Sequence, residues 1–200
     1  MMELQRALSD LAEVRDRLAQ LQRFEGYSAS AAAASGVVAI AASFVQRVLA
    51  PVPAPTQPPH TYLAIWLSCL AVALLLNYGA VTVWLLEHRA PGARSRFRTA
   101  AISIAPSIVL GGALSVALID HNAYGLLPGT WFAFYAIGLF ASRGSIPAST
   151  VVVTAFFALL ALAFLLPPLA AVALSWWVMP LGFGTGQLLI GYFIWVDRQA

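Results

Sequence analysis

Six apolar segments, each about long enough to cross a bilayer, follow one another along most of the chain. They lie near 28–50, 61–86, 99–119, 123–142, 146–166 and 170–195, and charges, prolines or polar clusters separate them. A hydrocarbon core of about 30 Å needs about 20 apolar residues in helical form. Because a helix satisfies its own backbone polar groups in lipid, the segments predict six transmembrane helices.

The composition favours lipid over water as the surrounding solvent. Of the 200 residues, 60% are hydrophobic and 10% are charged, with a mean hydropathy of +0.81. Soluble domains carry about 25% charged residues, so this chain lacks the ionic groups for a soluble exterior. The single cysteine, Cys69, excludes an internal disulfide and a cysteine-rich metal site. We therefore predict an all-α membrane protein whose six-helix membrane domain covers 27–200.

The arginines predict how the helices are oriented. With six spans, one side receives ten of the eleven basic residues: Arg6, Arg15, Arg17, Arg23, Arg89, Arg94, Arg96, Arg98, Arg143 and Arg198. The other side receives only Arg47. Short cytoplasmic loops collect positive charge, so this distribution predicts a multi-pass protein with both termini in the cytoplasm.

The first 26 residues differ from the rest and predict a cytoplasmic amphipathic helix. Residues 3–25 carry nine charges, and apolar residues recur at heptad spacing. The apolar stripe consists of Leu4, Ala7, Leu11, Val14, Leu18 and Leu21. Such a continuous stripe over three heptads is typical of a helix that packs against another helix.

Several uses of this stripe remain open: self-association, docking of a cytoplasmic partner, attachment to the membrane surface, or packing against the chain's own bundle. Five acidic residues balance four arginines in the segment, whereas a helix lying on anionic lipid is rich in basic residues. The charges therefore favour a protein contact over a lipid contact.

The segments offer little for catalysis. Their interiors contain no ionisable residue at depth apart from the thiol of Cys69 and tyrosine hydroxyls, and the chain has no G-x-S-x-G motif. We therefore expect a protein that is not an enzyme and carries no cofactor. His60, Asp120 and His121 should share the outer face and form a weak metal candidate, but no spacing such as H-x-x-x-H supports it, and we expect no metal.

The basic loop around 87–98 carries four arginines and Phe97. Short cytoplasmic loops collect positive charge, so four arginines are expected in such a loop. We therefore expect contact with membrane lipid and no direct binding of nucleic acid.

Glycine and proline in the third and sixth segments support an alternative function. The third and sixth helices close the two halves of the chain, and their expected interruptions are Pro106, Gly111, Gly112, Pro180, Gly182, Gly184 and Gly186. Interrupted helices at matching places are typical of transporters built from inverted repeats, with a site near the membrane midplane. Asn77 and Gln187 would be the polar residues of that site; otherwise, each forms a hydrogen bond between helices.

The last hundred residues carry a resemblance to a family. Leu126 to Trp131 (LLPGTW), Tyr135 and Gly138 are followed by Gly182-Phe183-Gly184 and Gly191. With these residues and its charged N-terminal segment, the chain resembles an uncharacterised family of small bacterial six-span membrane proteins. The resemblance implies a bacterial inner membrane and a histidine at the position of Gln187, where this chain departs from the pattern. It implies no activity.

Together these features predict a non-enzymatic bacterial inner-membrane protein that oligomerises or recruits a regulatory partner through its N-terminal helix. The alternative is a small-solute transporter or channel made of two inverted three-helix halves.

Overall fold

A computed structural model describes residues 26–51, 59–87, 92–167 and 169–199. Every regular element in these ranges is helical, and four of the helices are long and apolar enough to cross a membrane. The predicted all-α membrane protein is thus confirmed at this level. The predicted N-terminal helix, including its stripe from Leu4 to Leu21, lies outside the described residues.

The described ranges contain six α-helices: α1 (Ala29–Leu49), α2 (His60–Glu87), α3 (Ala93–Asp120), α4 (Leu127–Ala141), α5 (Val151–Leu165) and α6 (Thr185–Asp197). Short 3₁₀ turns at Tyr124–Leu126, Ala148–Thr150 and Leu169–Val172 connect them, and a π-helical turn at Pro180–Gly184 leads into α6. The four candidate membrane spans are α1, α2, α3 and α4 with its 3₁₀ turn, whereas α5 is a shorter apolar helix.

The segment predicted at 170–195 differs most from the structure. Residues 173–177 form turns, and regular helical structure begins only at residue 178. Tertiary contacts explain the difference, because the Leu174 carbonyl accepts a 2.8 Å hydrogen bond from the Gln46 side chain. Within the turn, the Val178 N–H donates to the Ser175 carbonyl, three residues earlier.

The expected interruption of α3 was wrong, whereas that at Pro180 is present. α3 continues from Ala93 to Asp120 through Pro106, Gly111 and Gly112. Proline is tolerated in membrane helices, since breaking the helix in lipid would leave more backbone groups unsatisfied. At Pro180 the chain instead adopts the π-helical turn.

Sequence neighbours among the helices run in opposite directions. The start of α2 meets the end of α1, where Trp66 donates to Gln46. The start of α4 meets the end of α3, where Trp131 donates to Ser115. Contacts between opposite ends also join α4 to α5 and α5 to α6. α1 packs against both α2 and α6, and α4 packs against both α3 and α5.

The first and last described segments lie at the same end of this bundle. Arg198 donates a 2.6 Å hydrogen bond to the Tyr27 carbonyl, directly before α1. Five of the six described arginines lie at this end, three of them in the first two turns of α3 and one each after α4 and α6: Arg94, Arg96, Arg98, Arg143 and Arg198. We call it the arginine-rich end. The sixth, Arg47, lies at the opposite end.

Small residues bring α1 and α6 close together. A Cβ atom added at Gly36 would lie 2.9 Å from the Gly184 carbonyl oxygen, and one at Gly191 would lie 2.8 Å from the Ala29 carbonyl oxygen. Nearby on α1, the stripe of small residues at intervals of four is buried: Ala31, Ser35, Ala39 and Ser43. These short side chains permit the helix contact that such spacing favours in membranes.

Aromatic rings fill the space between α6, α4 and α5. The rings of Phe132, Phe157 and Phe183 contact one another, with centroids 5.3 to 5.9 Å apart. A Cβ atom added at Gly182 would overlap the Phe132 ring, and one at Gly186 would overlap the Phe157 ring. Both positions therefore require glycine, because a side chain there would overlap the neighbouring ring.

We expect Gly182→Ala to destabilise the protein by about 1–3 kcal/mol, the usual cost of overpacking a core. Gly112→Ala is the matched control, because nothing lies within 4 Å of its added Cβ. Thermal unfolding in detergent measures both, and equal melting temperatures would contradict the packing described for Gly182.

Candidate functional site

The two polar residues expected near the midplane each form a hydrogen bond between helices. Asn77 of α2 donates from Nδ2 to the Ser35 hydroxyl of α1 and to the Ala73 carbonyl, each at 2.8 Å. Gln187 of α6 donates from Nε2 to the Tyr135 hydroxyl of α4 at 2.6 Å. The first links α1 to α2 and the second links α4 to α6.

The hydrogen bonds of the described residues do not join Asn77 and Gln187 into one site. Their amide donors are directed to neighbouring helices, and Tyr135 itself packs against the rings of Phe157 and Phe183. Both amides therefore have a structural use in this arrangement.

Gln46 is a third polar side chain in the bundle, and the sequence analysis missed it. It is fully buried at the end of α1. Its Oε1 accepts from the Trp66 indole and its Nε2 donates to the Leu174 carbonyl, both at 2.8 Å. One amide thus connects α1, α2 and the turn before α6. Its partners lie 20 and 128 residues away in sequence, so only the fold reveals them.

Tyr62 contributes an unmatched hydroxyl at the same end. Its ring is fully buried and stacks on Trp131 with centroids 6.3 Å apart. Its hydroxyl finds no partner in the described part of the chain. The Trp131 indole nitrogen is satisfied by Ser115. α2 and α4 therefore meet at this end through aromatic surfaces.

The weak metal candidate is not assembled into a cluster. The nearest ring nitrogen of His121 lies 3.9 Å from an Asp120 carboxylate oxygen, and the same nitrogen lies 2.8 Å from the Ala117 carbonyl. Among the described residues, His60 and this pair do not form a group of three that could hold an ion. Asn122 instead accepts from the Tyr124 hydroxyl and so orders the turn before α4.

Tryptophans and arginines mark the two ends of the bundle. Four tryptophans lie towards the end opposite the arginine-rich end: Trp66, Trp131, Trp176 and Trp177. There Arg47 lies over the Trp176 ring, with its Cζ atom 4.9 Å from the centroid. Trp84 and Trp195 lie near the arginine-rich end. Tryptophan prefers the headgroup region, so both ends have the composition of membrane interfaces.

Tyr27 occupies the point where the chain enters α1. Burial, followed by a contribution from the Tyr78 phenol, raises the pKa of Tyr27 to about 12. The phenol is therefore uncharged at neutral pH, and the charge at this junction comes from Arg198.

No protein-family model, curated protein or solved structure matches the chain. The resemblance to small bacterial six-span proteins therefore stays an expectation.

We expect Gln46→Ala to lower the free energy of unfolding by about 2–6 kcal/mol, since it leaves the Trp66 indole and the Leu174 carbonyl buried without partners, at about 1–3 kcal/mol each. Asn77→Ala should cost less, about 0.6–1.7 kcal/mol. Exposed Gln199→Ala serves as the control and should change stability by less than about 0.5 kcal/mol. Chemical unfolding in detergent measures the three, and an effect of Gln46→Ala no larger than that of Gln199→Ala would refute its linking role.

Proposed function

We propose that this chain is a non-enzymatic, six-span protein of the bacterial inner membrane that binds a second copy or a partner protein through its N-terminal segment. The position of Tyr27 carries the proposal. Because Arg198 holds the Tyr27 carbonyl, residues 1–25 join the bundle at the arginine-rich end, which the orientation rule assigns to the cytoplasm.

The lengths of the last two helical segments are compatible with six crossings. With its preceding 3₁₀ turn, α5 covers 148–165, and with its π-helical turn, α6 extends from 178 to 197. At about 1.5 Å per residue, segments of 18 to 20 residues span about 27–30 Å. Six crossings would also place both termini on the same side, in agreement with the hydrogen bond between Arg198 and the Tyr27 carbonyl.

The arrangement of polar groups supports an interaction protein over an enzyme. Hydrogen bonds to other segments engage the side-chain amides of Gln46, Asn77 and Gln187. Aromatic rings pack the space beside α6. The heptad stripe from Leu4 to Leu21 is then the chain's clearest surface for a protein contact, since the acidic residues around it disfavour lipid.

Charges placed on the stripe should abolish this contact. We expect the double variant Leu11→Glu with Leu18→Glu to weaken self-association or partner binding by more than about tenfold, because each buried leucine contributes about 1.5–3 kcal/mol. The double variant Ser9→Glu with Gln20→Glu adds the same charge off the stripe and should bind normally.

The measurement is the oligomeric mass of the full chain in detergent, together with crosslinking in native membranes. The proposal fails if the stripe variant retains both the mass and the crosslinked products of the wild type. Both variants must remain inserted in the membrane for the comparison to count.

A transporter remains the second candidate, and the π-helical turn favours it. π-turns occur often at functional sites, and this one lies one turn before Gln187. A transport path would expose Asn77 or Gln187 to water, whereas the proposed interaction protein keeps both residues dry.

Single cysteines in a Cys69→Ala background distinguish the two candidates and test the topology. A membrane-impermeant thiol reagent should label Gln199→Cys only from the cytoplasmic side and Ala54→Cys only from the other side, and it should leave Asn77→Cys unlabelled. Labelling of Asn77→Cys from either side would favour the transporter. Labelling of Gln199→Cys and Ala54→Cys from one common side would overturn the six-span topology.

A further inference from the structure

A small crevice opens between α4 and α5 at the arginine-rich end. Its volume is about 210 Å³, and its walls include Leu139, Phe140, Val151 and Thr154. Most small-molecule sites occupy about 300–1,000 Å³. The crevice therefore suits part of a larger molecule whose remainder stays outside.

Arg143 supplies the positive charge of this crevice. Its Nη1 donates to the Phe140 carbonyl at 3.0 Å, and its Cζ atom lies 4.3 Å from the Phe140 ring centroid. These contacts hold the guanidinium against the wall. An arginine has five N–H donors in a fixed fork, so several donors are left for an anion. Such a fork suits a phosphate group.

The other polar groups of the wall are already engaged. The Thr150 hydroxyl donates to the Pro147 carbonyl, and the Thr154 hydroxyl donates to the Thr150 carbonyl. Because both hydroxyls are engaged, this part of the crevice wall is apolar towards a ligand.

The position of the crevice identifies the kind of molecule that fits. Arg143 follows the end of α4, whereas Val151 and Thr154 lie in the first turn of α5. Phe140 and Val151 are more than half exposed, as apolar side chains that face lipid would be. A cation at headgroup level above an apolar groove matches the shape of a phospholipid, with phosphate outermost and acyl chain below.

We infer that this crevice is a binding site for one anionic phospholipid. Arg143 binds the phosphate, and an upper section of one acyl chain lies between Leu139 and Thr154. The site is distinct from the N-terminal stripe, so the inference does not depend on the proposed function. It is also distinct from the basic loop at 87–98, because it combines its charge with an apolar crevice between two helices.

Native mass spectrometry of the full chain in detergent tests the site, with phosphatidylglycerol and phosphatidylcholine as probes. Wild type should bind one phosphatidylglycerol more tightly than phosphatidylcholine. Arg143→Gln should weaken the binding of phosphatidylglycerol by about tenfold, the effect of losing a hydrogen bond to a charged group. Arg94→Gln removes one charge at the same end away from the crevice and should have little effect.

A second pair of variants tests the apolar part and does not depend on Arg143. Thr154→Phe fills the crevice and should also weaken binding by about tenfold, whereas Val152→Phe adds the same ring to an exposed position on α5. Arg143→Lys keeps the charge and should retain part of the affinity. Unchanged melting temperatures establish that the variants are folded.

Three results would overturn the inference. Equal losses of phosphatidylglycerol affinity in Arg143→Gln and Arg94→Gln would mean that the overall positive charge attracts the lipid without a specific site. Normal binding by Thr154→Phe would mean that no chain enters the crevice. Displacement of the lipid by inorganic phosphate would mean that the site holds a phosphate alone.

Discussion

The contact between the glycines at the π-helical turn and the start of α6 and the aromatic rings of α4 and α5 determines how the other helices can pack. Gly182 and Gly186 leave space that Phe132 and Phe157 fill, and Gly184 lets α1 approach from another direction. A helix with larger side chains at these positions would have to move outward. In lipid, where tails are as apolar as leucine, such close packing replaces the hydrophobic effect as the main source of helix association.

Hydrogen bonds between helices complete this arrangement and also limit what the bundle can do. Each buried amide satisfies partners on a different helix, with Gln46 joining three parts of the chain. Groups engaged in this way are not available to bind solute or activate water unless the helices separate. The three amides are therefore engaged in holding the helices together.

Patterns of composition predicted most of the fold, but not the details of its polar groups. Apolar runs located α1 to α4, because crossing lipid imposes both length and helicity, although α3 begins six residues before its predicted start. The late start of the last helical segment escaped prediction, since it follows from a bond between Gln46 and Leu174, 128 residues apart. Likewise, Pro106 and Pro180 look alike in sequence, although only Pro180 lies in a π-helical turn. The crevice at Arg143 arises from two helices and a turn that no local pattern joins.

The bond from Arg198 to the Tyr27 carbonyl joins the chain just before α1 to the residue after α6. A pull on the residues before Tyr27 acts on α1 directly and on α6 through the guanidinium. α6 continues from the π-helical turn, whose backbone is less regular than an α-helix. This turn is therefore the part of the chain that would deform when α6 is displaced. Force applied outside the membrane thereby reaches the aromatic core by two parallel routes.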